Sequence, residues 1–158
     1  MKIAIALEGN SHNRPRRMWR AEEARMAIIP YLYYSDVASA QKFVNKAFGF
    51  RKYGPSNRDA RGKIKHSAMK LGEDLVMMGC PGPDYKNPRQ LGHATQCLFV
   101  NVADVDAHFV RAQKAGAKII QEIGDTPLGQ RRYGAEDPEG HQWFFGTQTR
   151  KNREKALS

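Results

Sequence analysis

Few residues in this 158-residue chain offer obvious chemistry. Of its five histidines, His66 is the best placed for proton transfer, because an imidazole titrates near neutral pH. No carboxylate stands at a fixed spacing from it, so a hydrogen-bonded structural histidine is the competing reading. His93 falls in a stretch dense in proline and glycine and His141 follows a tight turn, so a metal cluster built from them would need a tertiary coincidence. Cys80 and Cys97 lack CxxC spacing and fit reduced thiols better than a disulfide or zinc framework. Arg131-Arg132 could reach a carboxylate or phosphate on a ligand, although an exposed strand edge explains them more plainly. The acids of Asp137-Pro138-Glu139-Gly140 read as turn formers: aspartate accepts a backbone N–H, proline fixes φ, and glycine takes the positive-φ place. No catalytic pair is read there.

The elements that must position these residues come from a repeat. Ala135–Gly146 (AEDPEGHQWFFG) lies over Ala68–Gly79 (AMKLGEDLVMMG) at a constant spacing of 67, and Asp104-Val105 heads one helical pattern as Asp36-Val37 heads another, 68 residues apart. One module is used twice. In the first, Ala27–Tyr34 reads as a strand in which Pro30 implies an edge or an irregular first pairing. Val37–Phe48 has helical spacing closed by Gly49. Phe50–Tyr53 is a short strand, Pro55–Arg61 a polar loop, and Lys63–Leu71 and Asp74–Gly79 a hairpin about Gly72-Glu73. Cys80–His93 cannot extend either neighbour and links the modules. Thr95–Val102, a helix from Asp104 to near Gly116, Ala117–Glu122, Gln130–Glu136 and His141–Thr147 repeat the order. The division expected is an extension over residues 1–25, modules over 26–80 and 94–148 joined by a linker over 81–93, and a basic tail over 149–158. Met26 could serve as the biological start.

Composition narrows the function classes. With 41% apolar residues the chain can build a core. Its longest apolar runs fall far short of the roughly 20 residues that a membrane span needs. MKIAIAL is too short an apolar run for a signal peptide and meets Glu8 at once, so a cytoplasmic protein is expected. The net charge of +10 is concentrated at the ends: residues 1–25 carry six Lys/Arg against three acids, and residues 148–158 four against one. A solvated face accounts for this better than a phosphate track, and nucleic acid is not expected as the partner.

Paired modules, Asp-Val helix starts, the segment RAQKAGAKI and above all DPEGHQWFF together resemble the vicinal oxygen chelate superfamily, which includes glyoxalase I, extradiol dioxygenases and bleomycin-resistance proteins. The resemblance spans about residues 26–148. It implies an α+β fold of two βαβββ modules, each with a curved four-stranded mixed sheet, around a concave cleft, and by analogy a homodimer. Metal enzymes of the superfamily place one ligand on the first and last strand of each module. Those positions are Ile29, Met77, Cys97 and Phe144 here, and three of the four side chains have no suitable donor. No metal site and no cofactor are therefore expected.

If Ile29 faces inward, the period of two along a strand turns Tyr31 and Tyr33 inward as well. The same rule brings in Cys97, Phe99 and Asn101, then Gln142, Phe144 and Gly146, then Met77 and Gly79. A two-residue Gly72-Glu73 turn would set Ala68 opposite Met77 and His66 opposite Gly79, and the repeat then places Tyr133 where His66 sits. Trp143 and Phe145 would face the helices. The expected ligand-binding set is thus Tyr31, Tyr33, His66, Met77, Cys97, Phe99, Asn101, Tyr133, Gln142 and Phe144, suited to an apolar or planar molecule. In the competing reading these aromatics simply fill the concavity. The function expected is metal-independent binding of a small hydrophobic or aromatic molecule. The alternatives are a lyase or dioxygenase with a divalent metal held elsewhere, a metal-free isomerase using His66, and a nucleic-acid-associated module using Arg14–Arg20 and the basic C-terminus.

Overall fold

The computed structural model describes residues 28–147. The N-terminal extension with its Arg14–Arg20 run, the possible start at Met26 and the basic tail lie outside the described residues. Within them the order is β1 (Tyr31–Tyr33), α1 (Val37–Phe48), β2 (Arg51–Arg58), β3 (Ile64–Leu71), β4 (Asp74–Gly79), α2 (Pro88–Leu91), β5 (Cys97–Asn101), α3 (Val105–Lys114), β6 (Lys118–Asp125), β7 (Arg131–Glu136) and β8 (Gln142–Gly146). The strands form two four-stranded mixed sheets, ordered β1-β4-β3-β2 and β5-β8-β7-β6. In each, the first strand runs parallel to the last and the remaining pairs are antiparallel. This is the α+β, twice-βαβββ arrangement that the repeat implied.

Local chemistry explains the boundaries. Asp36 and Asp104 cap α1 and α3 by accepting the N–H of Ser39 and Ala107. Strand β1 starts immediately after Pro30 and sits at a sheet edge, where a missing donor costs no ladder bond. Strand β2 runs to Arg58, through the segment expected as a polar loop. It is also an edge strand, so Pro55 is accommodated by register shifts between Tyr53 and Asn57. The linker contains a short helix, α2, that the proline and glycine density had hidden. Its capping box pairs Asn87 with Gln90, and Pro88 follows the cap.

The two modules share one core. Helices α1 and α3 pack together, and the buried set draws Leu32 and Met78 from one sheet and Tyr133, Trp143 and Phe145 from the other. Phe48 of α1 packs against Trp143 and Phe145 of β8, with ring centroids 5.4 and 4.8 Å apart. Each sheet thus spends one face on this common core and leaves its other face open.

The turn after β7 locks the modules to each other. Asp137, 1% exposed, accepts Tyr34 Oη of the first module at 2.8 Å and Trp143 Nε1 of the second at 3.2 Å. Its other oxygen accepts the backbone N–H groups of Glu139 and His141. Burial pushes the Asp137 carboxyl above its ordinary range, with His141 and the bonds from Tyr34 and Trp143 pulling the other way. Glu139 accepts the N–H groups of Ser35 and Asp36 ahead of α1, and His141 Nε2 lies 2.7 Å from the carbonyl of Tyr33. Gly140 has φ +89°, and a Cβ there would lie 2.7 Å from the backbone nitrogen of Arg89 in α2.

Asp137→Asn keeps the acceptor facing the turn but leaves Trp143 Nε1 without a carboxylate. Urea unfolding is expected to show a loss of about 2 kcal/mol; a loss below about 0.5 kcal/mol would mean that this tie contributes little.

Candidate functional site

The open face of the first sheet is aromatic. Its register pairs Tyr31 with Met77 and Tyr33 with Gly79 across β1 and β4, and Ala68 with Met77 and His66 with Gly79 across β3 and β4. These are the pairings inferred from the two-residue turn. Leu32 is buried while Tyr31 and Tyr33 are 40% and 50% exposed, so the alternation holds. Tyr31 Oη is 2.8 Å from His66 Nδ1. The Tyr31 ring leans over Gly79, where a Cβ would sit 2.5 Å from its oxygen, so only glycine admits this approach. Desolvation, with Tyr33 adding to it, raises the Tyr31 pKa, so the phenol stays protonated.

Two tyrosines join this face that sequence reasoning missed. Tyr53, half exposed, pairs with Ala68 from the edge strand and carries Lys70 Nζ 5.7 Å from its ring centroid. Tyr85, from the linker, donates to the carbonyl of Tyr33 and lies edge-on to its ring at 6.1 Å. Its pKa is pushed up to about 12 by burial, with the charges of Glu139 and Asp137 adding to the shift. The regular start of the β2–β3 pairing places Tyr53 beside Ala68, and a non-repetitive loop brings in Tyr85.

The second sheet departs from the expected symmetry. Cys97, Phe99 and Asn101 are exposed on β5, and Phe99 and Phe144 are cross-strand partners on the open face. Tyr133, however, is not on that face. It pairs with Phe145 and is fully buried, with Phe109 5.1 Å and Phe145 5.3 Å from its ring centroid. The reason is loop parity. In the first module two residues separate Leu71 from Asp74, whereas in the second three residues, Pro138 to Gly140, separate Asp137 from His141, whose backbones are hydrogen bonded. One extra residue slips the register and turns β7 over. Arg132 takes the place opposite Gly146, and Tyr133 goes to the core.

Once inside, Tyr133 meets His108, a residue that sequence reasoning did not single out. His108 Nδ1 is 2.7 Å from Tyr133 Oη, and Nε2 is 3.1 Å from the carbonyl of Phe48. The carbonyl can only accept, so Nε2 carries the proton and Nδ1 accepts from the tyrosine. His141, 8% exposed, is a hairpin residue bridging the modules, as its place after the turn suggested. Arg131 is bound to Asp106 and Asp125, and it lies on β7, which is paired on both sides, so the strand-edge reading does not hold.

A metal fits these residues poorly. At the four superfamily positions Ile29, Met77, Cys97 and Phe144 offer one thiol, one thioether and two hydrocarbons. Among the described residues no three His, Cys, Asp or Glu side chains come together as a possible ion site. Cys80 and Cys97 are free thiols. A cavity of about 270 Å³ lies beside the Asp137-Pro138 turn, and its charged lining includes the Lys118–Glu136 ion pair.

The family model for the Glyoxalase/Bleomycin resistance protein/Dioxygenase superfamily matches residues 25–145. Among curated relatives, the uncharacterized protein Rv0887c of Mycobacterium tuberculosis is 34% identical over 134 residues, 78% of this chain and 75% of its own length. Among solved structures, TioX from Micromonospora sp. ML1 is 35% identical, covering 77% of this chain and 98% of its own, with a TM-score of 0.64. The fosfomycin resistance protein FosX from Mesorhizobium loti shares the fold at 14% identity, covering 82% of this chain and 98% of its own, with a TM-score of 0.57.

Burial lowers the His108 pKa, a shift opposed by the bond to Phe48 and increased by the Arg111 charge. The unfolded chain therefore protonates at higher pH than the folded one. This contribution is full above about 6.5 and declines as pH falls toward the folded value. His108→Gln, whose amide keeps one donor and one acceptor, is expected to flatten that part of the decline when urea unfolding is compared at about pH 5 and about pH 8. An unchanged slope would assign the decline to other groups.

Proposed function

Because the chain belongs to the Glyoxalase/Bleomycin resistance protein/Dioxygenase superfamily and offers poor metal donors at that superfamily's ligand positions, we propose that it binds a small hydrophobic or aromatic molecule without a metal, in a resistance or sequestration role in the cytoplasm. The observation that carries this reading is ring exposure: Tyr31, Tyr33 and Phe99 stand 40%, 50% and 46% exposed on the open faces while the core is filled from the other side. Rings that only filled a concavity within one chain would be buried. Half-exposed rings flanked by a few hydrogen-bonding groups suit a planar ligand held by stacking.

The same exposure supports a homodimer. The open faces point away from the shared core, so a second copy laid against them would cover the rings and enclose the ligand. No helix among the described residues is long and apolar enough to cross a membrane.

A second reading has its own observation. The Tyr31–His66 hydrogen bond holds the imidazole in one orientation on the open face, as a proton-transfer step in a metal-free isomerase requires. Under this reading His66→Ala abolishes turnover on a confirmed substrate; unchanged turnover eliminates it.

Binding without metal is tested on chelator-treated protein by a thermal-shift screen of aromatic antibiotics. At least one is expected to raise the midpoint by several degrees, as a ligand at about 100 times its dissociation constant contributes about 2.7 kcal/mol. Tyr31→Ala and Phe99→Ala should each weaken that shift. About one Zn, Ni, Mn or Fe per chain after gentle purification, with binding dependent on it, would overturn the proposal.

A further inference from the structure

The register slip puts a charged group where the first module holds a histidine. Arg132 stands opposite Gly146 on β8 and Gly124 on β6, two residues that raise no side chain beside it. A Cβ at Gly124 would meet nothing within 4 Å, whereas one at Gly146 would lie 3.0 Å from Phe99 Cζ and 3.1 Å from Arg132 Cβ. A ring leans over a glycine toward the β7 residue here, as Tyr31 leans over Gly79 toward His66. The Arg132 guanidinium carbon lies 5.9 Å from the centroid of Phe144.

Among the described residues the Arg132 side chain makes no hydrogen bond or ion pair, only the ring contact to Phe144. Its Nε is buried and has no hydrogen-bond partner among the described residues. Asp106 and Asp125 are bound to the adjacent Arg131. The buried Nε offers a ligand no surface, so a planar oxyanion would meet the guanidinium through its two Nη groups, in two parallel charge-assisted bonds.

We infer that Arg132, between Phe99 and Phe144 on the open face of the second sheet, is a carboxylate-binding subsite, so that the ligand is an aromatic acid. This rests on the ligand-site reading above and deepens it. Phe99 and Phe144 take the ring, Arg132 takes the carboxylate, and the glycines at positions 124 and 146 leave room for both.

The test uses two probes that share a ring system and differ in charge, 2-naphthoate and 2-naphthamide, titrated calorimetrically into the full chain at near-physiological salt. The wild type is expected to bind the acid roughly tenfold more tightly than the amide. Arg132→Met should abolish that preference, and Arg132→Lys should keep part of it, which provides a second reading if the methionine variant folds poorly. Arg131→Met, which removes the arginine already bound to two aspartates, should leave the preference intact. Amide binding with no preference for the acid, a preference that survives Arg132→Met, or one that disappears equally in Arg131→Met would overturn the subsite and leave the ring site standing. Binding of neither probe would overturn both.

Discussion

One buried carboxylate holds the two halves of this protein in register. Asp137 ties Tyr34 in the first module to Trp143 in the second and closes its own turn, while Glu139 and His141 fasten that turn to the backbone around β1. A carboxylate in that setting is costly to desolvate and is retained only because all its bonds are made at once. The helix contact, the shared aromatic core and the outward direction of both open faces follow from how this turn sets one module against the other.

Much of the architecture was legible because it rests on local rules. Asp36 and Asp104 announce their helices, Pro30 announces an edge, and the 67-residue spacing announces a duplicated unit whose element order the structure reproduces. The pairing of His66 with Gly79 followed from a two-residue turn and period-two alternation. The burial of Trp143 and Phe145 followed from the same alternation. Helix α2 and the full reach of β2 were not legible, because a capping box inside a proline-rich linker and a proline on an edge strand each run against the average tendency of their residues.

The site was legible only where symmetry held. Tyr31, Tyr33, His66, Met77 and Phe99 lie on open faces as alternation required, but carrying the repeat across to Tyr133 failed, because a repeat in sequence does not guarantee a repeat in register. Residues brought in by tertiary structure alone, such as Tyr85 and His108, leave no periodic trace. The fold was therefore clearer than the chemistry, as expected where many activities share one scaffold.

The longer turn of the second hairpin has an evolutionary consequence. Drawing one more of the existing residues into the tip of a β-ribbon exchanges the entire set of side chains that its strand presents, with no change in chain length, and the hidden set becomes the displayed one. A duplicated gene that drifts in this way gains two chemically different surfaces at once, one bearing imidazole and phenol, the other guanidinium and phenyl. Asymmetric substrates could then be recognised by a scaffold that began as two identical halves.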